Sequence, residues 1–355
     1  MKILSVLLIS CCIVTVFPAV HTAAQVHEEQ KMDPESRKEP VGIIFDTDIG
    51  NDIDDALALA LLHTFESRAE CHLLAVTITK DNALAAPFVD VVNTFYGRGN
   101  IPIGTVRNGV TPEDGNFLRP VVEAETAGKQ WYPHHLQSGQ DSPEAVDLLR
   151  KVLGQQPDQS VVIVQVGFST NLARLLKTEG DEYSPLNGVE LVKQKVRLLS
   201  IMAGAFTEIE GKPYREYNVI MDLDSARQVF ANWPGPIVAS GFEIGLAILY
   251  PAQSIEKDYR YVLHHPVAQA YGCYIKMPYD RPTWDLTSVL YAVRPQRGYF
   301  DLSESGIIQV DEAGQTIFTP QPGGPHRYLM VKEPQIIRVT ELFTNLCSQP
   351  PDAKP

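Results

Sequence analysis

The sequence predicts an α/β protein: an open, mostly parallel, doubly wound sheet flanked by helices, with a small C-terminal β-hairpin. Three observations carry that reading. Continuous apolar runs such as "VGIIF" (41–45) and "SVVIVQVG" (160–167) are of the kind buried on both faces of a parallel sheet. Helical segments alternate with such runs, the pattern of βαβ units with right-handed crossovers. Near the end, "GIIQVDEAGQTIFTP" (306–320) holds two strand-like runs joined through "DEAG", a hairpin signal.

Taken in order, residues 1–24 read as an export signal. A positive start and an apolar core broken by Pro18 lead to small residues suited to cleavage near Ala23 or Ala24. The run is short for a membrane span, so the mature protein is expected to be secreted or periplasmic. Lipid anchoring at Cys11 is a lesser alternative. Residues 25–40 are polar and charged and read as a flexible leader. After the strand at 41–45 come the helix "DDALALALLHTF", the strand "CHLLAVTITK", and a helix over 83–97 that stops at Gly97 and Gly99. "IPIGTV" (101–106) is a short third strand. Residues 107–140 look irregular, with His134 and His135 in a loop long enough to rim a site. "SPEAVDLLRKVLG" (142–154) predicts a helix with Ser142 at its N-cap and Gly154 past its end. The strand at 160–167, a helix at 169–177, a strand at 196–204, a helix at 222–232 and a strand at 236–241 follow. Asp222 and Asp224 suit a helix start. Helices at 265–276 and 283–293 precede the hairpin. With no repeat and no linker, one domain is expected over 41–345, with a tail over 346–355.

A chain that is 44% hydrophobic and 21% charged suits a folded globular protein. A net charge of −13 repels phosphate backbones, which argues against nucleic acid as a partner and leaves small molecules and divalent cations open. Cys71, Cys273 and Cys347, the cysteines beyond the signal, are too few and too scattered for a disulfide framework, although one bridge would be compatible with their number. No CxxC pair points to zinc.

The segment "FDTDIGNDIDDALALALL" (45–62) sets five aspartates, at 46, 48, 52, 54 and 55, between two apolar runs. Asp46 and Asp48 end a strand; Asp54 and Asp55 begin a helix. A helix N-terminus favours nearby anions by up to about 1 kcal/mol each, which accounts for one or two carboxylates and not five. A hard cation with oxygen ligands, Ca²⁺ or Mg²⁺, would account for the rest.

This segment resembles the signature of the inosine-uridine-preferring nucleoside hydrolase family. The likeness continues in order through "AVTITKDNA", "VQVGFSTNLA", "MAGAF" with "EYNVIMDLDSA", and "TWDLTSVL". The resemblance implies the nucleoside hydrolase fold, one Ca²⁺ (Mg²⁺ less so), and hydrolysis of a ribonucleoside to base and ribose. Carried over residue by residue, it implies that Asp48 is metal ligand and general base, that Asp55, Asp285 and the Val166 carbonyl complete the protein ligands, and that Asp54, Asn82, Glu216 and Asn218 contact ribose. Met202 would line the pocket and Asp46 would support the ligands from behind. Family members form dimers or tetramers, so a homo-oligomer is compatible with the resemblance.

Two departures bear on substrate. Asn51, Asp52 and Ile53 lengthen the signature by two residues, which assigns the Asp-Asp pair to Asp54 and Asp55 and leaves the role of Asp52 open. Trp284 stands where several members carry a histidine that protonates the leaving base. Trp284 either stacks on a base or packs in the core, and His134 or His135 is an alternative acid. Asn171 reads as a helix cap, with family likeness placing it near the site. These departures keep two other readings in view: a riboside- or sugar-binding protein on the same fold, or a hydrolase of a different N-riboside.

Overall fold

A computed structural model of the chain describes residues 39–352. The expected export signal, Cys11 and all but the last two residues of the leader lie outside the described residues. Among the described residues, no helix is long and apolar enough to cross a membrane.

The first half follows the expected alternation. Strand β1 (Val41–Thr47) leads through the aspartate segment into α1 (Asp54–Ser67), then β2 (Cys71–Lys80), α2 (Ala85–Phe95) and β3 (Ile103–Val110). β3 runs longer than the apolar stretch suggests, because Lys80 at the end of β2 pairs with Val110 across a register shift. The segment expected to be irregular holds α3 (Leu118–Val122) and a small antiparallel pair, β4 (Glu125–Thr126) with β5 (Lys129–Gln130). Helix α4 spans Ala145–Gln155 and not 142–154. The Thr105 N–H donates to the Pro143 carbonyl at 3.0 Å, and Glu144 bridges Thr105 in parallel, so Ser142 and Pro143 are held extended beside β3 and Glu144 takes the N-cap. Gly154 lies inside that helix. A Cβ there would meet the Tyr183 carbonyl at 2.6 Å, so the glycine serves close packing and not a helix stop.

The second half continues with β6 (Val161–Gln165), α5 (Thr170–Leu176), α6 (Gly188–Lys195), β7 (Val196–Met202), α7 (Tyr217–Met221), α8 (Leu223–Asn232) and β8 (Ile237–Ser240). Asp222 caps α8 by accepting the Ser225 N–H, as expected. Next come α9 (Phe242–Ala247), β9 (Leu249–Tyr250), α10 (Ala252–Lys257), α11 (Pro266–Tyr274), β10 (Arg281–Pro282) and α12 (Trp284–Val293). The chain closes with β11 (Asp301–Leu302), the hairpin β12 (Gly306–Val310) and β13 (Thr316–Pro320), β14 (His326–Met330) and α13 (Glu333–Cys347). Neither β14 nor α13 is evident from periodicity. The hairpin joins the main sheet through β14, which pairs in parallel with β8.

The main sheet has the order β13-β12-β14-β8-β7-β6-β1-β2-β3, with β11 on β14. From β14 to β3 the neighbouring strands are parallel. Two apolar layers cover the sheet. One includes α1, α2 and α12; the other includes α4, α5 and α8. Helix α1 is buried from Asp54 to Phe65 and packs against α12 and α13, which explains why its sequence is apolar on every face. Cys71, Cys273 and Cys347 are all free thiols.

On the layer of α4, Arg150 is fully buried and bonds through all three guanidinium nitrogens: Asp181 takes two bonds, Thr178 one, and the Ser184 and Leu186 carbonyls one each.

Candidate metal and nucleoside site

The chain runs β1, β2, β3 toward one edge and β6, β7, β8 toward the other, so strands leave in opposite directions on either side of the β1–β6 pair. Such a reversal opens a crevice at the carboxyl ends of the strands. Here it is drawn tight: the Val166 N–H donates to the Asp46 carbonyl at 2.7 Å. The end of β1 places Asp46 in the sheet and Asp48 just beyond it. Asp46 accepts from Thr77 (2.6 Å) and Asn171 (2.9 Å), and burial lifts its carboxyl to about 7. Asn171 is therefore not a helix cap; it reaches from α5 to hold Asp46. Asp48 accepts the Asn51 amide at 2.8 Å, and burial again raises it to about 7.

Helix α1 begins with Ile53 at the N-cap and no side-chain cap. Asp54 and Asp55 fill its first turn, where the helix dipole favours them. Asp55 accepts from the Thr47 hydroxyl through one oxygen; its other oxygen is buried with no partner among the described residues. Burial pushes it well above the usual carboxylate range, and the charges of Asp48 and Asp54 push it further. Asp54 is raised by burial and pulled back by Arg281, whose Nε and Nη2 lie 3.2 and 3.0 Å from Oδ1. Its Oδ2 accepts the Asp285 N–H at 3.3 Å. Asp285, in the first turn of α12, is also raised well above normal by burial and then by Asp54, Asp55 and Asp48. The fold thus brings Asp285, 231 positions beyond Asp54, to the Asp48, Asp54 and Asp55 of the first strand–helix junction.

The facing wall is built from β6, β7 and α7. Glu216 caps α7, accepting from Asn218 N (2.8 Å), Gly204 N (3.1 Å) and Val219 N (3.2 Å), and burial lifts it to about 7. The Asn218 side chain donates to the Val166 carbonyl (2.8 Å) and to both the carbonyl and sulfur of Met202 (3.2 Å each). Val166, Met202, Glu216 and Asn218 are therefore one connected unit. Asn82 is differently placed: its amide donates to the Pro112 carbonyl and Asp114 and accepts Leu84 N, so it ties down the loop after β3.

Two cations enter this cluster that sequence reasoning missed. Arg281 pairs with Asp54 and, at 2.8 Å, with Asp52, which also accepts the Tyr274 hydroxyl. Lys80 donates to Asn51 at 2.6 Å and to the Thr111 carbonyl at 2.8 Å. Gly50, Asn51, Asp52, Lys80, Glu113 and Tyr217 line a cleft of about 310 Å³ beside them. A lysine closing the apolar strand "CHLLAVTITK" was a readable signal for Lys80; nothing local marks Arg281.

The histidine candidates fall elsewhere, while Trp284 borders the cluster through Arg281. Trp284 donates its indole N–H to the Phe242 carbonyl, stacks on Phe242 at 5.0 Å and carries Arg281 over its ring at 4.9 Å, so its ring is engaged by the protein. His134 bonds the Tyr132 carbonyl, and His135 is exposed beside Asp90 on α2. A larger cleft, about 400 Å³, lined by Trp131, Tyr259 and His264, shares no residue with the acidic cluster.

Among the described residues no group of three or more His, Cys, Asp or Glu side chains is placed so that it could hold a metal ion without rearrangement. The donor chemistry nevertheless suits a hard cation. Asp48, Asp54, Asp55 and Asp285 are buried and act on one another's carboxyls, Asp46 and Asp55 each keep one oxygen without a partner among the described residues, and burial of like charge is costly without a counterion.

Comparison with known proteins identifies the family and the fold. The family model described as inosine-uridine preferring nucleoside hydrolase matches residues 43–340. The pyrimidine-specific ribonucleoside hydrolase RihA of Shewanella sp. (strain MR-4) is 27% identical over 247 residues, 64% of this chain and 66% of that protein. The inosine-uridine preferring nucleoside hydrolase of Crithidia fasciculata is 26% identical over 200 residues, 54% of this chain. The matches thus span 66% and 57% of these relatives' lengths. The purine-preferring ribonucleoside hydrolase from Gardnerella vaginalis has the same fold, with a TM-score of 0.65 at 18% identity over 86% of this chain and 99% of that one. With the family model covering β1 through most of α13, the chain belongs to the inosine-uridine preferring nucleoside hydrolase family.

Proposed function

We propose that this protein hydrolyses the N-glycosidic bond of ribonucleosides, releasing free base and ribose, with a divalent cation, Ca²⁺ before Mg²⁺, held by Asp48, Asp55, Asp285 and the Val166 carbonyl. The observation that carries the reading is the buried, mutually facing carboxylate set at the β1–β6 crevice, with an unpartnered Asp55 oxygen.

When bound, the cation would acidify water and gather vicinal hydroxyls. The rest follows from the chain's own groups. Asp48 accepts the proton of the attacking water, and Asn51, gripping one carboxylate oxygen, leaves the other for that task. Asp54, clamped by Arg281 and the Asp285 N–H, is oriented to accept hydrogen bonds from ribose. Glu216 and Asn218 form the opposite ribose wall. As the bond to the base stretches, positive charge grows on the sugar ring, and the buried carboxylates around it favour that charge. Asn82 contributes through the loop it anchors.

The test is reducing-sugar release from purine and pyrimidine ribonucleosides, with and without chelator. Chelator-sensitive release is expected. Thermal melts should rise on adding Ca²⁺ by the amount mass action gives, about 3 kcal/mol at a hundredfold excess over Kd. Tight riboside binding without base release would instead identify a binding protein.

A further inference from the structure

Trp284 has no proton to release at ordinary pH, and neither His134 nor His135 is bonded into the acidic cluster. The departing base still needs an acid, and one other group in the cleft carries an ionisable proton on nitrogen. Lys80 ends β2, is almost wholly buried, and contributes to the lining of the cleft. Two of its three N–H groups are taken, by Asn51 and by the Thr111 carbonyl. Among the described residues nothing takes the third. The same Asn51 side chain that accepts from Lys80 donates to Asp48, so the ammonium and the expected general base stand one amide group apart.

Resting on the hydrolase reading above, we propose that Lys80 is the general acid of this site, donating its free N–H to the leaving nucleobase. The C1′–N bond breaks with its electron pair going to the base. The Lys80 proton moves to a ring nitrogen or carbonyl oxygen of that base, which departs neutral. The water oxygen bonds to C1′ and its proton goes to Asp48. Lys80 is left as an amine and Asp48 as an acid, and exchange with solvent restores both. Burial lowers the Lys80 ammonium from the usual lysine value, against the pull of Asp48 and Glu113, which favours release of the proton. Lys80 and Asn51 also explain why the lengthened signature is tolerated: the inserted segment supplies the amide that spaces acid from base.

The experiment compares inosine and uridine with 4-nitrophenyl β-D-ribofuranoside, whose phenolate leaves without a proton. For Lys80→Met, the kcat/KM ratio of nucleoside to nitrophenyl riboside should fall by about 100-fold or more relative to the wild-type protein. Lys80→Arg keeps the charge and reaches the same acceptors but does not release a proton readily, so the ratio should fall there too; it carries the test if the methionine variant fails to fold. Equal losses on all substrates would overturn the inference in favour of Lys80 merely positioning Asp48, as would unchanged nucleoside rates. Wild-type inactivity on every substrate would overturn the hydrolase reading and this inference with it.

Discussion

Two buried polar regions of this protein are built on opposite terms. Around Arg150, each nitrogen of the guanidinium has an acceptor, and Asp181 is held down at about 2 by the bonds it accepts from that arginine. Around Asp55, a carboxylate oxygen is buried with no partner, and burial drives the neighbouring acids upward. The first region is complete and fixes the loop after α5. The second is left electrostatically open at the β1–β6 crevice. Neutral buried atoms also go without a partner, as at His63 Nδ1 and Trp233 Nε1, but an unpartnered carboxylate oxygen among other buried acids is the costlier case, because like charges there lack a counterion. The open region is therefore where a ligand is expected, and the closed one is structure.

The largest effect expected from this contrast is at Asp48. Asp48→Asn should lower nucleoside hydrolysis by about 10²- to 10⁴-fold while the thermal melt stays level or rises, because a buried charge is removed. Full activity in the folded variant would end the general-base assignment. Arg150→Met should do the reverse. It leaves two carbonyls and Asp181 without their donor and should cost about 3 kcal/mol in denaturant unfolding, with kcat unchanged in whatever remains folded; a loss of kcat without a loss of stability would erase the distinction between the two regions.

The smallest effect sharpens a third buried group. His63 on α1 pairs with Asn93 at 2.9 Å and stacks on Tyr96, and burial lowers it from 6.5 to about 3. Because the folded form resists the proton that the unfolded chain accepts, its stabilising contribution is complete above pH 6.5 and is lost as the pH falls toward 3. The acidic cluster has the opposite sign, since raised carboxyls take up protons in the folded state. The useful comparison is therefore between proteins: between pH 6.5 and 4.5 the wild-type protein should lose roughly 1 kcal/mol per pH unit more than His63→Gln. Parallel stability profiles for the two would place the loss elsewhere.

Much of this architecture was legible in the sequence because apolar runs and helix caps are local signals. The strands β1, β2, β6, β7 and β8 and the helices α1, α2, α5, α8, α11 and α12 were readable from local runs and caps; the short helices α6, α7, α9 and α10 were not. The start of α4 was not, because the pairing of Thr105 with Pro143 and Glu144 outweighs the capping preference of Ser142. β14 was not, because "HRYLM" has no alternation to declare it; only its parallel pairing with β8 makes it a strand. In the site, the carboxylates announced themselves by crowding. Their counterions did not: Arg281 meets Asp54 across 227 positions, and Lys80 meets Asn51 across 29. Asn82 illustrates the converse, a residue whose type suits ribose but whose hydrogen bonds are spent on the loop at Pro112 and Asp114.

The packing of α1 against α13 has a consequence for how the protein is made. The Thr64 hydroxyl donates to the Leu346 carbonyl and the Cys347 thiol to the Leu57 carbonyl, so the helix that carries Asp54 and Asp55 is closed over by the last helix of the fold. A chain leaving the ribosome has the acidic residues of β1 and α1 in hand well before Asp285, which follows Asp54 by 231 positions, and before the cover on α1. No nascent fragment that stops short of α12 contains the assembled carboxylate set, so the proposed ion site cannot form before α12 has been made.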